Sequence, residues 1–152
     1  MLKRNRIYAD TSIYGGVFDP EFEKISNAFF DEVRKGLHVL IVSSLVLDEL
    51  EYAPARVRQF YADLPVGSIE YIEFNDEMAD LRDAYVSANI LTEKNRNDAG
   101  HVAASTVARA DLIISWNFRH LVKWEKIREF NAVNLRLGYP IMTIMSPREV
   151  IS

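Results

Sequence analysis

Short apolar runs with the look of strands alternate with segments of helical period along the whole of this 152-residue chain. That alternation constrains the fold more than any single residue does. Strands separated by helices pair in parallel, and their crossover helices cover both faces of the sheet.

RIYA (6–9) reads as a first strand ending at Asp10. Asp19-Pro20 reads as a helix start, with Asp as N-cap and Pro at the first helical position. Phe22, Ile25, Phe29 and Val33 follow at helical spacing, and Gly36 stops the helix. HVLIVSS (38–44) is a second strand. Leu45 to Tyr52 is a helix interrupted by Pro54, with another helix over 55–63. IEYIEF (69–74) alternates like a third or edge strand. Asn75 caps a helix to about Asn89. Residues 89–97 read as loop, Asp98 to Arg109 as an Ala-rich helix, and DLIISW (111–116) as a fourth strand. A helix near 121–130, a fifth strand over IMTIM (141–145), and a capping-box spacing from Ser146 to Glu149 with Pro147 at the first position complete the pattern. The expectation is a single domain, 1–152, of α/β class with a mostly parallel sheet of about five strands.

Ligands of such sheets bind beyond the carboxyl ends of the strands. Asp10 follows the first strand there, and Asn117 follows the fourth. Glu49 sits early in the helix after the second strand. Asp98 precedes its strand by a whole helix, so the pattern alone does not bring it to that edge. Each residue also has a plain structural reading: Asp10 as a turn cap, Asp98 as a partner of the helix dipole, Asn117 as a loop residue. Glu49 is harder to dismiss, because Leu45, Val46 and Ala53 place it on an apolar helix face where unpaired charge is rare. Carboxylates about 4 Å apart repel by roughly 4 kcal/mol at an effective dielectric near 20. Three of them gather only around a shared cation or proton. With no cysteine in the chain, thiolate sites and disulfides are excluded, and oxygen donors select Mg²⁺ or Mn²⁺. An acidic metal site is a common means of hydrolysing phosphodiesters.

The net charge of −4 argues against broad charge-driven nucleic-acid binding. It leaves room for local basic lips at Lys94 and Arg96 and at Arg119, His120 and Lys123, whose plain reading is solvated surface. The basic start MLKRNRIYADTS has no long apolar run behind it. Neither a signal peptide nor a membrane span is expected, and the cytoplasm is the expected location.

At IYADTS, SSLVLDELE, NDAGHVAAS and ADLIISWNFRHL, and in the tail NAVNLRLGYPIMTIMSPREV, the chain resembles the PIN-domain family, particularly ribonuclease toxins of the VapC type. The resemblance implies a three-layer α/β/α fold and a Mg²⁺- or Mn²⁺-dependent endoribonuclease. It implies an RNA substrate, a cognate antitoxin protein and a homodimer. It places the family's acidic positions on Asp10, Glu49 and Asp98. The fourth, usually an Asp, falls on Asn117, which brings a neutral oxygen and puts a second metal and full activity in doubt. Thr11, Ser12 and Ser115 flank the site as holders of carboxylates, water or substrate, and Lys94, Arg96 and Arg119 are candidates to grip flanking phosphates. Asp111 is expected at the opposite end of the sheet. His101 follows Asp98 by three on the same helix face, where it could assist at the site, but it is expected as a packed, hydrogen-bonded core residue.

Two rivals stand beside this reading. A phosphotransfer domain with an Asp nucleophile needs a second acid near Asp10 and a Lys on a late strand, but Ser12 occupies the first place and neither DLIISW nor IMTIM holds a Lys. A non-catalytic PIN-like protein that binds RNA or a protein partner is kept open by Asn117.

Overall fold

The computed structural model describes residues 4–152, so the first three residues of the basic start lie outside it. The fold is α/β. Five strands, β1 (Asn5–Ala9), β2 (His38–Ser43), β3 (Ile69–Ile72), β4 (Leu112–Ile114) and β5 (Ile144–Met145), form one sheet in the order β3-β2-β1-β4-β5. Every pairing is parallel.

Seven α-helices make the connections: α1 (Thr11–Gly16), α2 (Glu23–Arg34), α3 (Ser44–Glu51), α4 (Ala55–Ala62), α5 (Asp76–Ser87), α6 (Arg96–Val107) and α7 (Trp124–Arg136). From β1 the chain steps outward to β2 and β3, then returns past β1 to β4 and β5. Right-handed crossovers therefore put α1–α4 on one face and α5–α7 on the other, giving the expected three layers. A sheet covered on both faces has apolar inner strands. Ile7, Tyr8 and Ala9 of β1, Leu40, Ile41 and Val42 of β2, and Ile113 and Ile114 of β4 are all fully buried.

β1 and β4 are neighbours whose outgoing connections leave in opposite directions. That is a topological switch point, where a crevice opens beyond the strand ends. Ala9 pairs with Ile114, and the Asp10 amide donates to the Ile114 carbonyl at 3.2 Å. The residues that follow both strands thus enter the crevice side by side.

Several boundaries differ from the sequence reading. Asp19 does cap a turn, its side chain accepting from the Glu21 amide, but regular helix begins only at Glu23. The short α1 was not expected, and it is Asp10 that caps it. Its Gly16 allows a close approach: a Cβ there would lie 2.5 Å from Ser26 Oγ and 2.8 Å from Trp116 Nε1. Within 89–97, a 3₁₀ turn over Glu93–Asn95 and the start of α6 replace part of the loop. The helix placed near 121–130 runs 124–136 instead, because residues 119–122 first wrap around Asn117. Its side-chain oxygen accepts from the Arg119 and His120 amides, and its carbonyl accepts from the Leu121 and Val122 amides. Pro147–Glu149 is a 3₁₀ turn, and Ser146 makes no side-chain capping bond.

Candidate active site

Asp10 is 3 % exposed, although it lies at the mouth of the crevice. As the N-cap of α1, its Oδ1 accepts from the Ser12 amide at 3.1 Å and from Ser12 Oγ at 2.5 Å. Oδ2 accepts from Ser115 Oγ, also at 2.5 Å. The Trp116 amide donates to Ser12 Oγ and the Asn117 amide to Ser115 Oγ, each at 2.9 Å. The two serines thereby tie the chain after β1 to the chain after β4. The capping role that explains Asp10 structurally and the carboxylate placement that a site requires are the same geometry.

Glu49 stands one turn into α3, half-buried. Its Oε1 accepts from Thr11 Oγ1 at 2.7 Å and lies 2.5 Å from His101 Nε2. Asp98, in the first turn of α6, is brought to the same edge by the fold. Its Oδ2 accepts from Asn117 Nδ2 at 3.2 Å. Asp111 lies where the sequence put it, at the other end of β4, accepting from the Arg6 amide at 2.7 Å.

The electrostatics show an acidic cluster with little compensation. Burial holds the Asp10 carboxyl above its usual range, and Glu49 adds to the shift, against relief from His101, Ser115 and Ser12. Burial likewise raises Asp98, with Asp10 and Glu49 adding repulsion while His101 and His120 oppose it. Glu49 goes the other way. Burial pushes its carboxyl up, but the bond and charge of His101, with Thr11 and Asn97 assisting, bring it below the usual value. For His101, burial favours the neutral ring, but Glu49, Asp10 and Asp98 outweigh it and hold the imidazole above its usual pKa of 6.5. Among the described residues, neither Asp10 nor Asp98 has a lysine or arginine at ion-pairing distance.

The donor set is hard oxygen at a place where like charges meet, which suits Mg²⁺ or Mn²⁺ in kind. Among the described residues, no three His, Asp or Glu side chains stand close enough, as posed, to enclose an ion. Mg²⁺ usually keeps several waters and takes only one or two carboxylates, so an open site of this sort fits it without a closed protein cage. Asn117 turns its amide N–H toward Asp98 and commits its oxygen to two backbone donors.

The outer residues divide. Arg96 is held by Glu93 at 2.5 Å and Asp83 at 3.1 Å, so it is engaged on the surface. Lys94 and Arg119, with Thr92, Asn95 and His120, line a polar cleft of about 360 Å³, and His120 is near enough to Asp98 to be felt by it. Sequence reasoning expected His101 in the core, where it is, at 2 % exposed, but missed that it reaches Glu49. Its spacing of three from Asp98 pointed toward the site but not to Glu49. Tyr8, which bonds to His101, and Ser43, which bonds to Tyr8, were missed as well. A tyrosine inside an otherwise apolar strand needs a partner for its hydroxyl, and that was the clue. No helix among the described residues is long and apolar enough to cross a membrane. No family model matches the chain, and no curated protein matches it.

Proposed function

We propose that this chain is a divalent-metal-dependent endoribonuclease of PIN type, hydrolysing RNA phosphodiesters at the crevice between β1 and β4. The observation that carries the reading is the convergence of Asp10, Glu49 and Asp98 at the switch point, with two of the three carboxyls raised by burial and mutual repulsion. Such an assembly costs stability unless a cation shares it. The resemblance of IYADTS, SSLVLDELE, NDAGHVAAS and ADLIISWNFRHL to the PIN family supports the same reading. So does the three-layer parallel architecture.

Asp10, Glu49 and Asp98 are the residues that would hold Mg²⁺ or Mn²⁺. A bound ion of this kind lowers the pKa of a water and neutralises the phosphate. Ser12 and Ser115 fix both oxygens of Asp10, and Thr11 fixes Glu49. Lys94 and Arg119 take the flanking backbone through the cleft beside Asp98. Hydrolysis there would add water across one ester P–O bond, leaving a phosphate monoester end and a free hydroxyl. The resemblance to the PIN family extends the proposal to a cytoplasmic homodimer restrained by an antitoxin protein.

Cleavage of single-stranded RNA in Mn²⁺ by the wild type, set against Asp10→Asn, is the test. The variant keeps a good helix cap, so equal cleavage by the two proteins would overturn the assignment. A second reading, a PIN-like protein that binds RNA without cutting it, is favoured by the Asn117 amide facing Asp98. Mn²⁺-independent RNA binding with no cleavage by the wild type would select it.

A further inference from the structure

A chain of buried hydrogen bonds leaves α3 at its N-cap and returns to the same helix at Glu49. Ser43 Oγ accepts from the Val46 amide at 3.3 Å, and the Tyr8 hydroxyl lies 2.7 Å from Ser43 Oγ and 2.7 Å from His101 Nδ1. His101 Nε2 then meets Glu49 Oε1 at 2.5 Å. Tyr8 and Ser43 are fully buried, and the Tyr8 and His101 rings meet edge-on at 5.6 Å.

The directions follow from the atoms. An ionised carboxylate only accepts, so His101 donates from Nε2. In the neutral ring Nδ1 accepts, and the Tyr8 hydroxyl is the donor at hand. The Tyr8 oxygen then accepts from Ser43, and Ser43 from the helix amide. Every proton in the chain points from the start of α3 toward Glu49. Three elements, β1, α3 and α6, are thereby tied to one carboxylate oxygen, which Thr11 also holds.

We propose that Tyr8 and His101 are positioning residues, a strut that commits Glu49 Oε1 and fixes the carboxylate so that its other oxygen is the one offered to a cation. The part concerning the cation rests on the proposed function, while the strut itself does not. Without the strut, Glu49 has only Thr11 and Asn97 to orient it, and its rotamers open.

The experiment has two readouts on Tyr8→Phe, His101→Gln and His101→Leu, with circular dichroism establishing that each variant is folded. The first is NMR of the metal-free protein. The wild type should show a His101 Nε2 proton shifted downfield and protected from exchange. Tyr8→Phe, which alters only the far side of the ring, should speed that exchange about fivefold, the weight of one net hydrogen bond. The second is Mn²⁺ affinity by calorimetry. Tyr8→Phe and His101→Leu should weaken it about tenfold or more, as loss of a partner behind a metal ligand does. His101→Gln, which restores a donor toward Glu49, should recover most of the loss. Unchanged imidazole exchange in Tyr8→Phe, or wild-type Mn²⁺ affinity in all three variants, would overturn the strut. A wild type that binds no Mn²⁺ would overturn the proposed function instead, and the imidazole proton alone would then decide the strut. Should His101→Leu fail to fold, Tyr8→Phe carries both readouts and His101→Gln carries the Mn²⁺ affinity.

Discussion

The two ends of the sheet hold acids in opposite ways. Where the strands begin, Arg6 bonds Glu70 through Nε at 2.9 Å and through its terminal nitrogen at 2.5 Å, and its backbone amide donates to Asp111. Arg6 also donates to the carbonyls of Ala108 and Arg109. Its bond and charge pull the Glu70 carboxyl below the usual range. Where the strands end, Asp10 and Asp98 are pushed up, and the ring that bonds into the cluster is His101, attached to Glu49. Acids that serve the fold bring their own arginine. Among the described residues, Asp10 and Asp98 at the crevice have no arginine or lysine at ion-pairing distance.

Asp10→Asn should show the largest effect. Cleavage should vanish, while the melting temperature in metal-free buffer holds or rises, since a buried charge is removed and the cap is kept. Loss of folding in that variant would instead group Asp10 with the structural acids of the far edge.

The next effect is the metal response and its pH dependence. Asp10 and Asp98 have folded pKa values raised above the usual 3.8. The folded state therefore binds their protons more tightly than the unfolded chain, and the stability this gives is lost as pH rises through the raised values. A cation replaces those protons, so its benefit should be absent near about pH 4 and full near about pH 8. At a concentration near 100 times its dissociation constant, Mn²⁺ should contribute about 2.7 kcal/mol, or roughly 5–10 °C for a chain of this size. A thermal scan with no shift at the higher pH would remove the distinction between the two edges.

Arg6→Gln tests the other side of the comparison. The pair is about a third exposed, so the loss should be only about 0.5–1 kcal/mol. Glu70 has a lowered folded pKa, so its contribution is present above the usual 4.5 and disappears as pH falls through the lowered value. The difference between wild type and Arg6→Gln should shrink in acid, and Mn²⁺ affinity should not move. A change in Mn²⁺ affinity would mean that the two ends of the sheet are coupled.

The smallest expected effect belongs to Asn117→Asp. The loop amides of Arg119 and His120 keep their acceptor, but the bond to Asp98 becomes a repulsion. Melting should fall by a few degrees without metal, and Mn²⁺ should reverse the order by gaining an anionic ligand. Equal Mn²⁺ affinity in Asn117→Asp, Asn117→Ala and wild type would place the residue outside the site.

Strand order and carboxylate placement were legible to different degrees. Asp10 and Glu49 follow their strands directly, so periodicity alone sends them to the carboxyl edge. Asp98 does not, and only the packing of α6 against α3 and β4 brings it there. Helix α1 escaped notice because six residues with two glycines have no helical period to read. The His101 contact was invisible for another reason: 52 positions separate it from Glu49, and nothing local encodes that distance. Asn117 shows the limit most clearly. Its place after β4 was readable, but the direction of its amide depends on which loop nitrogens fold back over it.

The central position of β1 has a consequence for timing. Asp10 and Ser115 are 105 residues apart, and β1 cannot be enclosed until β4 exists to lie beside it. At roughly 5–20 residues per second of synthesis, the first acid of the crevice waits about 5–20 seconds for the serine that completes its shell. For that interval Asp10 has no Ser115 to bond it. The crevice is completed late and all at once, when the segment carrying Ser115 pairs beside the start of the chain.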